Sequence, residues 1–209
     1  MAAPVLYLEP TMKEALDRGF AAAFGTEPQR YFSAPGRTEI GGNHTDHQRG
    51  RVLAAAVNLD TQAAVRVNGT NTIRVLSQGY PLSVVELDQL VPQENEINTT
   101  PALIRGVAAR FVELGCKVEG FDAYVESTVL PGSGLSSSAA FEVLMGTIIN
   151  GLFFDNKVSA PEVAMIGQYA ENVFFGKPCG LMDQTASAVG NLVAIDFFEG
   201  QACHRARCI

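Results

Sequence analysis

The sequence of 209 residues predicts a mixed α+β fold, with strands in the first part and most helices in the second. Runs of small and β-branched residues separated by turn residues fill positions 51–87 and are typical of paired strands. Apolar residues at helical spacing, preceded by capping residues, recur after position 100. Because strands and helices are segregated rather than alternating, α+β fits better than a regular βαβ series.

The first predicted elements are a helix and a short strand. Thr11-Met12-Lys13-Glu14 has the form of a capping box, and Gly25 is a typical residue at which a helix stops. Residues 30–34 are predicted as a strand that ends where Pro35-Gly36 turn the chain. This places the polar stretch that follows in a loop.

A hairpin is predicted around Asn68-Gly69, because this dipeptide lies between two apolar runs. The strand SVVEL follows at residues 83–87. The later elements are predicted from capping residues and apolar spacing. In chain order they are a helix from Thr100-Pro101 to Gly115 with Leu103, Val107, Phe111 and Leu114 on one face, the strand FDAYVEST, a helix at about 137–154, a helix from the capping box Ser159–Glu162 to Phe174, a short helix after GKPCG, and the strand NLVAIDFF. The last residues, QACHRARCI, continue no pattern and are predicted to form no element.

Composition excludes several classes of protein. A hydrophobic fraction of 47% suffices for a packed core, and a net charge of −7 argues against nucleic acid or an anionic membrane surface as the main partner. The most apolar segment, residues 139–154, is interrupted by Glu142 and Asn150 and is too short to span a bilayer. The start of the chain does not resemble a targeting segment, and the four cysteines form no CxxC pair. We therefore expect a cytoplasmic protein with reduced thiols.

The stretch LPGSGLSSSAA, residues 130–140, predicts an anion site between a strand and a helix. Its glycines allow successive N–H groups to converge, and the following helix adds the positive end of its dipole. The simpler alternative is a serine cap after a glycine turn, but three serines exceed what a cap needs. The Walker, dinucleotide and protein-kinase motifs are absent, so this is not one of those phosphate loops.

Two other stretches carry chemistry-bearing side chains. GRTEIGGNHTDHQRG, residues 36–50, mixes donors and acceptors, which suits a polyhydroxylated ligand better than a zinc site with its regular spacing. CGLMDQ, residues 179–184, places Asp183 near a predicted helix start. Alone, that aspartate is explained by stabilisation of the helix N-terminus.

Together, these three stretches resemble the GHMP kinase superfamily and, within it, the galactokinase family. GRTEIGGNHTDH is similar to the galactokinase N-terminal signature, LPGSGLSSSAA to the nucleotide-binding motif, and CGLMDQTAS to the segment with the catalytic aspartate. The resemblance covers about residues 8–197. It implies the GHMP-kinase N-terminal domain, of the ribosomal protein S5 domain 2-like type, with the C-terminal domain missing and residues 198–209 a non-matching tail left by truncation.

The resemblance also implies an activity, the transfer of the γ-phosphate of ATP to the C1 hydroxyl of D-galactose, with Mg²⁺ as cofactor. Arg37 and Asp183 would be catalytic, and Ser138 and Glu171 would hold Mg²⁺. The sugar pocket would be lined by Asn43, His44, Thr45, Asp46, Gly180 and Asp183. The ATP phosphates would be wrapped by Gly132, Ser133, Gly134, Leu135, Ser136, Ser137 and Ser138.

Several alternatives stay open on the sequence. Asn43 replaces the glutamate usual in galactokinases, which would change sugar affinity by roughly tenfold. The acceptor would then be another sugar, such as an amino sugar, arabinose or a uronic acid. A non-catalytic galactose and ATP sensor is the other class, although this chain keeps Asp183 and the serine run. Asp183 is either a general base or a group that only orients the hydroxyl, and without a C-terminal domain the chain is expected to be weakly active or inactive.

Overall fold

The computed structural model describes residues 9–42, 50–197 and 205–208, the last of these as backbone only. Within these ranges the chain forms helices α1–α5, strands β1–β7 and two short helical turns. In chain order they are α1 Pro10–Phe24, β1 Arg30–Gly41, β2 Arg51–Val67, β3 Thr72–Ser77, β4 Ser83–Glu86, a 3₁₀ turn Glu94–Glu96, α2 Thr100–Glu113, β5 Phe121–Ser127, α3 Ser137–Phe153, α4 Ala160–Tyr169, a π-helical turn Ala170–Phe175, α5 Met182–Val189, β6 Leu192–Asp196 and β7 Arg205–Cys208.

Strand β2 organises the sheet because its 17 residues pair on both edges. Strand β1 runs antiparallel along one edge, while β5 pairs with residues 61–67 and β6 with residues 51–55 on the other. The described strands form one sheet in the order β4-β3-β5-β2-β6-β7, with β1 attached to β2 off this path. This arrangement brings β1 close to α5, the helix that leads into β6.

Helices cover both faces of the sheet. On one face, Leu16 and Phe20 of α1 pack against Ala64 and Tyr124. On the other, α2, α3 and α4 bury the main core, because successive strand residues point to opposite faces. The largest fully buried side chains of that core are Phe111, Phe121, Ile73, Ile104, Leu144, Met145, Ile148 and Ile149. No helix in the described ranges is long and apolar enough to cross a membrane.

The predicted α+β class and most helices are confirmed. Gly25 ends α1 in the left-handed conformation at φ 71°, as glycine permits without strain. The Ser159–Glu162 capping box forms, since the Glu162 carboxylate accepts a 2.8 Å hydrogen bond from the Ser159 N–H. That helix reaches the predicted region of Phe174, but beyond Tyr169 it widens into the π-helical turn.

The hairpin predicted at Asn68-Gly69 is wrong, because β5 lies between β2 and β3. The turn instead wraps the start of β5: Asn68 N–H donates to Gly120 O at 3.1 Å, and Gly120 N–H donates to Thr70 O at 3.0 Å. Asn68 Nδ2 also donates to the buried Asp122 at 2.8 Å. The local turn residues are present, but a strand from far along the chain occupies the place of the expected partner.

Three boundary predictions are also corrected. Thr11 does not cap α1, because the helix already begins at Pro10 after Glu9. Pro35-Gly36 does not end β1; the strand shifts register between Pro35 and Arg37 and continues to Gly41. The tail was expected to form no element, but residues 205–208 pair antiparallel with β6.

We expect Gly106→Ala to destabilise the fold by about 1–2 kcal/mol despite the better helix propensity of alanine. A Cβ at Gly106 in α2 would lie 2.8 Å from the Cα of Ala170, so the π-helical turn would have to move. Denaturant unfolding measures the loss. Gly41→Ala is the control, because its added Cβ would meet nothing within 4 Å, and we expect a change within about 0.5 kcal/mol. Equal effects of both substitutions would contradict this packing.

Candidate active site

The continuation of β1 beyond Pro35 carries Arg37 into the site. Arg37 N–H donates to Leu135 O at 3.1 Å, so the glycine-rich loop lies directly against the strand. The approach is close, since a Cβ at Gly36 would lie 3.0 Å from Leu135 O and 3.1 Å from Val129. Glycine at this position therefore permits the contact, and the Arg37 residue is left only 8% exposed.

Arg37 forms a two-pronged ion pair with Asp183, in the first turn of α5. Nε donates to Oδ1 and Nη2 donates to Oδ2, both at 2.7 Å. Such paired charged bonds fix the orientation of both groups as well as their separation. Helix α5 is held to the strand by Ser187 Oγ, which donates to Pro35 O at 2.7 Å. The Asp183 side chain keeps 32% exposure, so a ligand from solvent can reach it.

The glycine-rich loop closes around this pair. Arg37 Nη1 donates to Gly134 O at 2.8 Å, and Gly132 and Gly134 adopt positive φ of 77° and 78°. The first backbone bond of α3 runs from Ala140 N–H to Ser136 O at 3.1 Å. The N–H groups of the three preceding residues therefore have no acceptor within the helix. This is the kind of helix N-terminus that suits an anion, and it lies beside Arg37.

Ser136 joins the loop to the ion pair. Its Oγ donates to Asp183 Oδ2, the same oxygen that accepts from Arg37 Nη2. Its backbone is left-handed, at φ 57° and ψ 64°, which is uncommon for a residue other than glycine. The predicted site residues Arg37, Gly134, Ser136 and Asp183 are thus in one connected group.

A second polar cluster lies buried behind Asp183. Gln184 Nε2 donates to Glu142 Oε2 at 2.9 Å and to Glu171 Oε2 at 3.0 Å. Lys177 Nζ lies 3.3 Å from Glu171 Oε1 and approaches from solvent. Burial raises the pKa of Glu142 well above its usual range, and the nearby Glu171 carboxylate raises it further. The cluster joins α3, the π-helical turn and α5.

The loop before α5 contains Gly180 and is held by side-chain amides. Asn172 Oδ1 accepts from Cys179 N–H at 2.7 Å, and Gln168 Nε2 donates to Cys179 O at 3.2 Å. Burial and the neighbouring Glu171 raise the pKa of the Cys179 thiol, so it stays protonated near neutrality. The side-chain amides of Gln168 and Asn172 therefore hold the backbone directly before Gly180.

Some predicted residues are not brought together. Among the described residues, Ser138 and Glu171 share no hydrogen bond, and no group of three or more metal-binding side chains occurs. The donor types nevertheless fit Mg²⁺: Glu142 Oε1 and Gln184 Oε1 are buried without a partner in the cluster that contains Glu171. The predicted sugar-pocket residues Asn43, His44, Thr45 and Asp46 lie outside the described residues.

Sequence reasoning missed Glu142 and Gln184 as parts of the site. The sequence did contain a signal for Glu142, because a lone carboxylate in a strongly apolar helix is rarely buried without a partner. Gln184 directly follows Asp183, but its spacing alone does not indicate that it bonds to α3. Both residues became recognisable only when the fold placed them in contact.

We expect Glu142→Gln to raise Tm more at about pH 8 than at about pH 5. Because folding raises the pKa of Glu142, the folded chain still holds a proton above the usual glutamate pKa of 4.5, where the unfolded chain has released it. This difference lowers stability as pH rises, and the neutral glutamine removes it. Glu27→Gln on the exposed surface is the control, with little change at either pH. An equal Tm change for Glu142→Gln at both pH values would contradict the assignment.

Comparison with known families agrees with this architecture. Residues 102–191 match the family model of the GHMP kinases N terminal domain, and residues 18–67 match the galactokinase galactose-binding signature. A D-glycero-D-manno-heptose 1-phosphate kinase from Bacteriodes thetaiotaomicron shares the fold, with a TM-score of 0.69 at 20% identity over 85% of this chain and 58% of that one. The chain carries the N-terminal domain of the GHMP kinases.

Within that class, the similar proteins are galactokinases. Those of Clostridium tetani and Bacillus subtilis are 35% and 37% identical, over 84% and 86% of this chain but 44% and 46% of their own length. The crystal structure of Lactococcus lactis galactokinase complexed with galactose matches with a TM-score of 0.82 at 27% identity, over 90% of this chain and 50% of that one. The chain is similar to the galactokinases over most of its own length and spans about half the length of the curated relatives it matches.

Proposed function

We propose that this chain provides the sugar-binding and phosphate-binding half of a kinase that transfers the γ-phosphate of ATP to the C1 hydroxyl of D-galactose. The observation that carries the proposal is the Arg37–Asp183 pair at the glycine-rich loop, with both guanidinium–carboxylate distances at 2.7 Å. A cation and a carboxylate beside an anion-binding helix N-terminus are the groups that phosphoryl transfer to an alcohol needs. The galactokinase relatives support the choice of sugar.

In the proposed reaction, the C1 oxygen of galactose bonds to the γ-phosphorus while the bond from that phosphorus to the β–γ bridging oxygen breaks. ADP leaves with the bonding electrons. Asp183, which is paired with Arg37, would orient the C1 hydroxyl and receive its proton. Arg37 offsets the negative charge that develops between the sugar oxygen and the transferred group. Because Arg37 is held by Asp183 and Gly134, it needs little rearrangement during transfer.

The loop of residues 132–138 would wrap the ATP phosphates through backbone N–H groups and serine hydroxyls. Mg²⁺, when bound, neutralises charge on the β- and γ-phosphate oxygens. Ser138 and Glu171 would hold it, with the remaining positions filled by ATP and water. Lys177 beside Glu171 and the Gln184 amide would keep that carboxylate in place.

The sugar would be recognised by Asn43, His44, Thr45 and Asp46, which follow β1, together with the Gly180 backbone and Asp183. The galactose-binding signature matches residues 18–67, which include this stretch. Asn43 would accept a hydrogen bond from the sugar through a neutral carbonyl, where a glutamate would carry charge. Because the similar proteins are galactokinases, we propose galactose as the preferred acceptor. These polar contacts would set the discrimination against other sugars.

A panel of sugars tests this proposal. The purified chain is incubated with Mg–ATP and galactose, galactosamine, arabinose or galacturonate, and kcat/KM is measured for each. We expect galactose to exceed the others by at least about tenfold, because lost hydroxyl contacts leave site groups unpaired. A higher value for another sugar would reassign the acceptor. Ligand-induced Tm increases without turnover at any enzyme concentration would indicate that this half binds its ligands but does not complete the reaction by itself.

A further inference from the structure

Ser136 occupies the N-cap position of α3 but does not cap the helix. No side-chain capping bond is formed there, although serine is a favoured capping residue. A left-handed residue at φ 57° costs energy in an L-amino acid, and here the strain is not offset by a cap. The hydroxyl is directed instead to Asp183 Oδ2. This combination indicates a requirement for the hydroxyl at the ion pair.

A serine hydroxyl has a single proton to donate. When Ser136 donates it to Asp183, the side chain has no proton left for a phosphate oxygen, although its backbone N–H remains available to ATP. We propose that the Ser136 side chain is a positioning residue that holds the Asp183 carboxylate against Arg37, rather than a phosphate ligand. This inference rests on the proposed kinase function.

The contacts form a closed ring that explains how such positioning works. Arg37 bonds to Asp183 through Nε and Nη2, Asp183 accepts from Ser136, and the chain leads from Ser136 back to Gly134. Gly134 O then accepts from Arg37 Nη1 at 2.8 Å. With the ring closed, the carboxylate plane is fixed from both sides. Without the hydroxyl, the restraint from the Ser136 side is lost, and the carboxylate oxygen that would face the sugar is less sharply directed.

Two substitutions separate the hydroxyl from the backbone strain. Ser136→Ala and Ser136→Gly both remove the hydroxyl, but glycine adopts positive φ without cost. We expect kcat to fall by about 10- to 100-fold in both, with KM for ATP and for galactose within about twofold of the original chain. An increase of about tenfold in KM for ATP at unchanged kcat would overturn the proposal, and so would a loss in the alanine variant alone.

A control variant and a turnover-independent measurement complete the test. Ser159→Ala removes the capping hydroxyl of α4, so it should lower Tm and leave kcat unchanged. In thermal unfolding, we expect Ser136→Ala, which keeps the backbone strain, to lower Tm in the original chain but to have a smaller effect in an Asp183→Ala background. Equal Tm losses in both backgrounds would overturn the contact. If the original chain neither phosphorylates a sugar nor gains Tm from galactose or ATP, the proposed function fails, while this cycle still decides the role of Ser136.

Discussion

Arg37→Met is expected to lower kcat for galactose phosphorylation by about 10²- to 10³-fold, the usual effect of removing a donor that stabilises transition-state charge. The substitution removes both bonds to Asp183 and the bond to Gly134 O. The variant therefore has no positive charge beside the transferred group. It also releases the Asp183 carboxylate, which is proposed to orient the sugar. Steady-state kinetics at saturating ATP measures the loss, which should appear in kcat more than in KM.

Two further variants make this result specific. Arg37→Lys keeps the charge but cannot form the two-pronged contact, so we expect it to stay at least about tenfold below the original chain. Arg30→Met is the matched control, because Arg30 lies at the exposed start of the same strand and donates to Gly151 O. Its kcat should be unchanged. A kcat for Arg37→Met within threefold of the original value would exclude Arg37 as a catalytic residue.

The largest stability loss is expected for Arg105→Met, at about 3–5 kcal/mol, because it breaks a buried ion pair and leaves a charge unpaired. Arg105 Nε and Nη2 donate to the two Glu96 carboxylate oxygens at 2.8 and 2.7 Å, and Nη1 donates to Gln89 O. Both side chains are largely buried. The pair joins the segment after β4 to α2, and denaturant unfolding measures its loss.

The same helix offers a matched control. Arg110 forms an ion pair with Glu113 that is about half exposed and also lies over the Tyr169 ring. We expect Arg110→Met to cost about 1 kcal/mol or less. Removing both buried charges with Arg105→Met and Glu96→Leu should recover part of the loss, because no charge is then left unpaired. A loss for Arg105→Met as small as that for Arg110→Met would contradict the burial argument.

The elements whose information is local were predictable from the sequence. The Ser159–Glu162 box, Gly25 as a helix end and the glycine-rich loop before α3 each depend on neighbouring residues, and each occurs as predicted. The strand order was not predictable in this way. The turn at Asn68-Gly69 has hairpin residues, but β5 pairs with both β2 and β3 and separates them. Pairing of distant segments depends on how the whole core is buried.

The candidate site divides in the same way. The motifs indicated Arg37, Ser136 and Asp183 separately, but their mutual contacts depend on β1 continuing past Pro35 and on α5 packing beside it. The buried pairing of Gln184 with Glu142 required a fold that places α3 behind α5. Residue types therefore indicated which side chains belong to the candidate site, while the specific hydrogen bonds required the three-dimensional arrangement.

The most direct test of the kinase assignment is ATP-dependent phosphorylation of galactose by the purified chain, alongside Asp183→Asn. The chain is used at a concentration comparable to that of ATP, so that a single turnover is detected, and the product is identified by ³¹P NMR. We expect galactose 1-phosphate from the original chain and none from Asp183→Asn. Equal product from both would contradict the role of Asp183, and no galactose 1-phosphate from either, with no rise in Tm on adding galactose or ATP, would contradict the assignment.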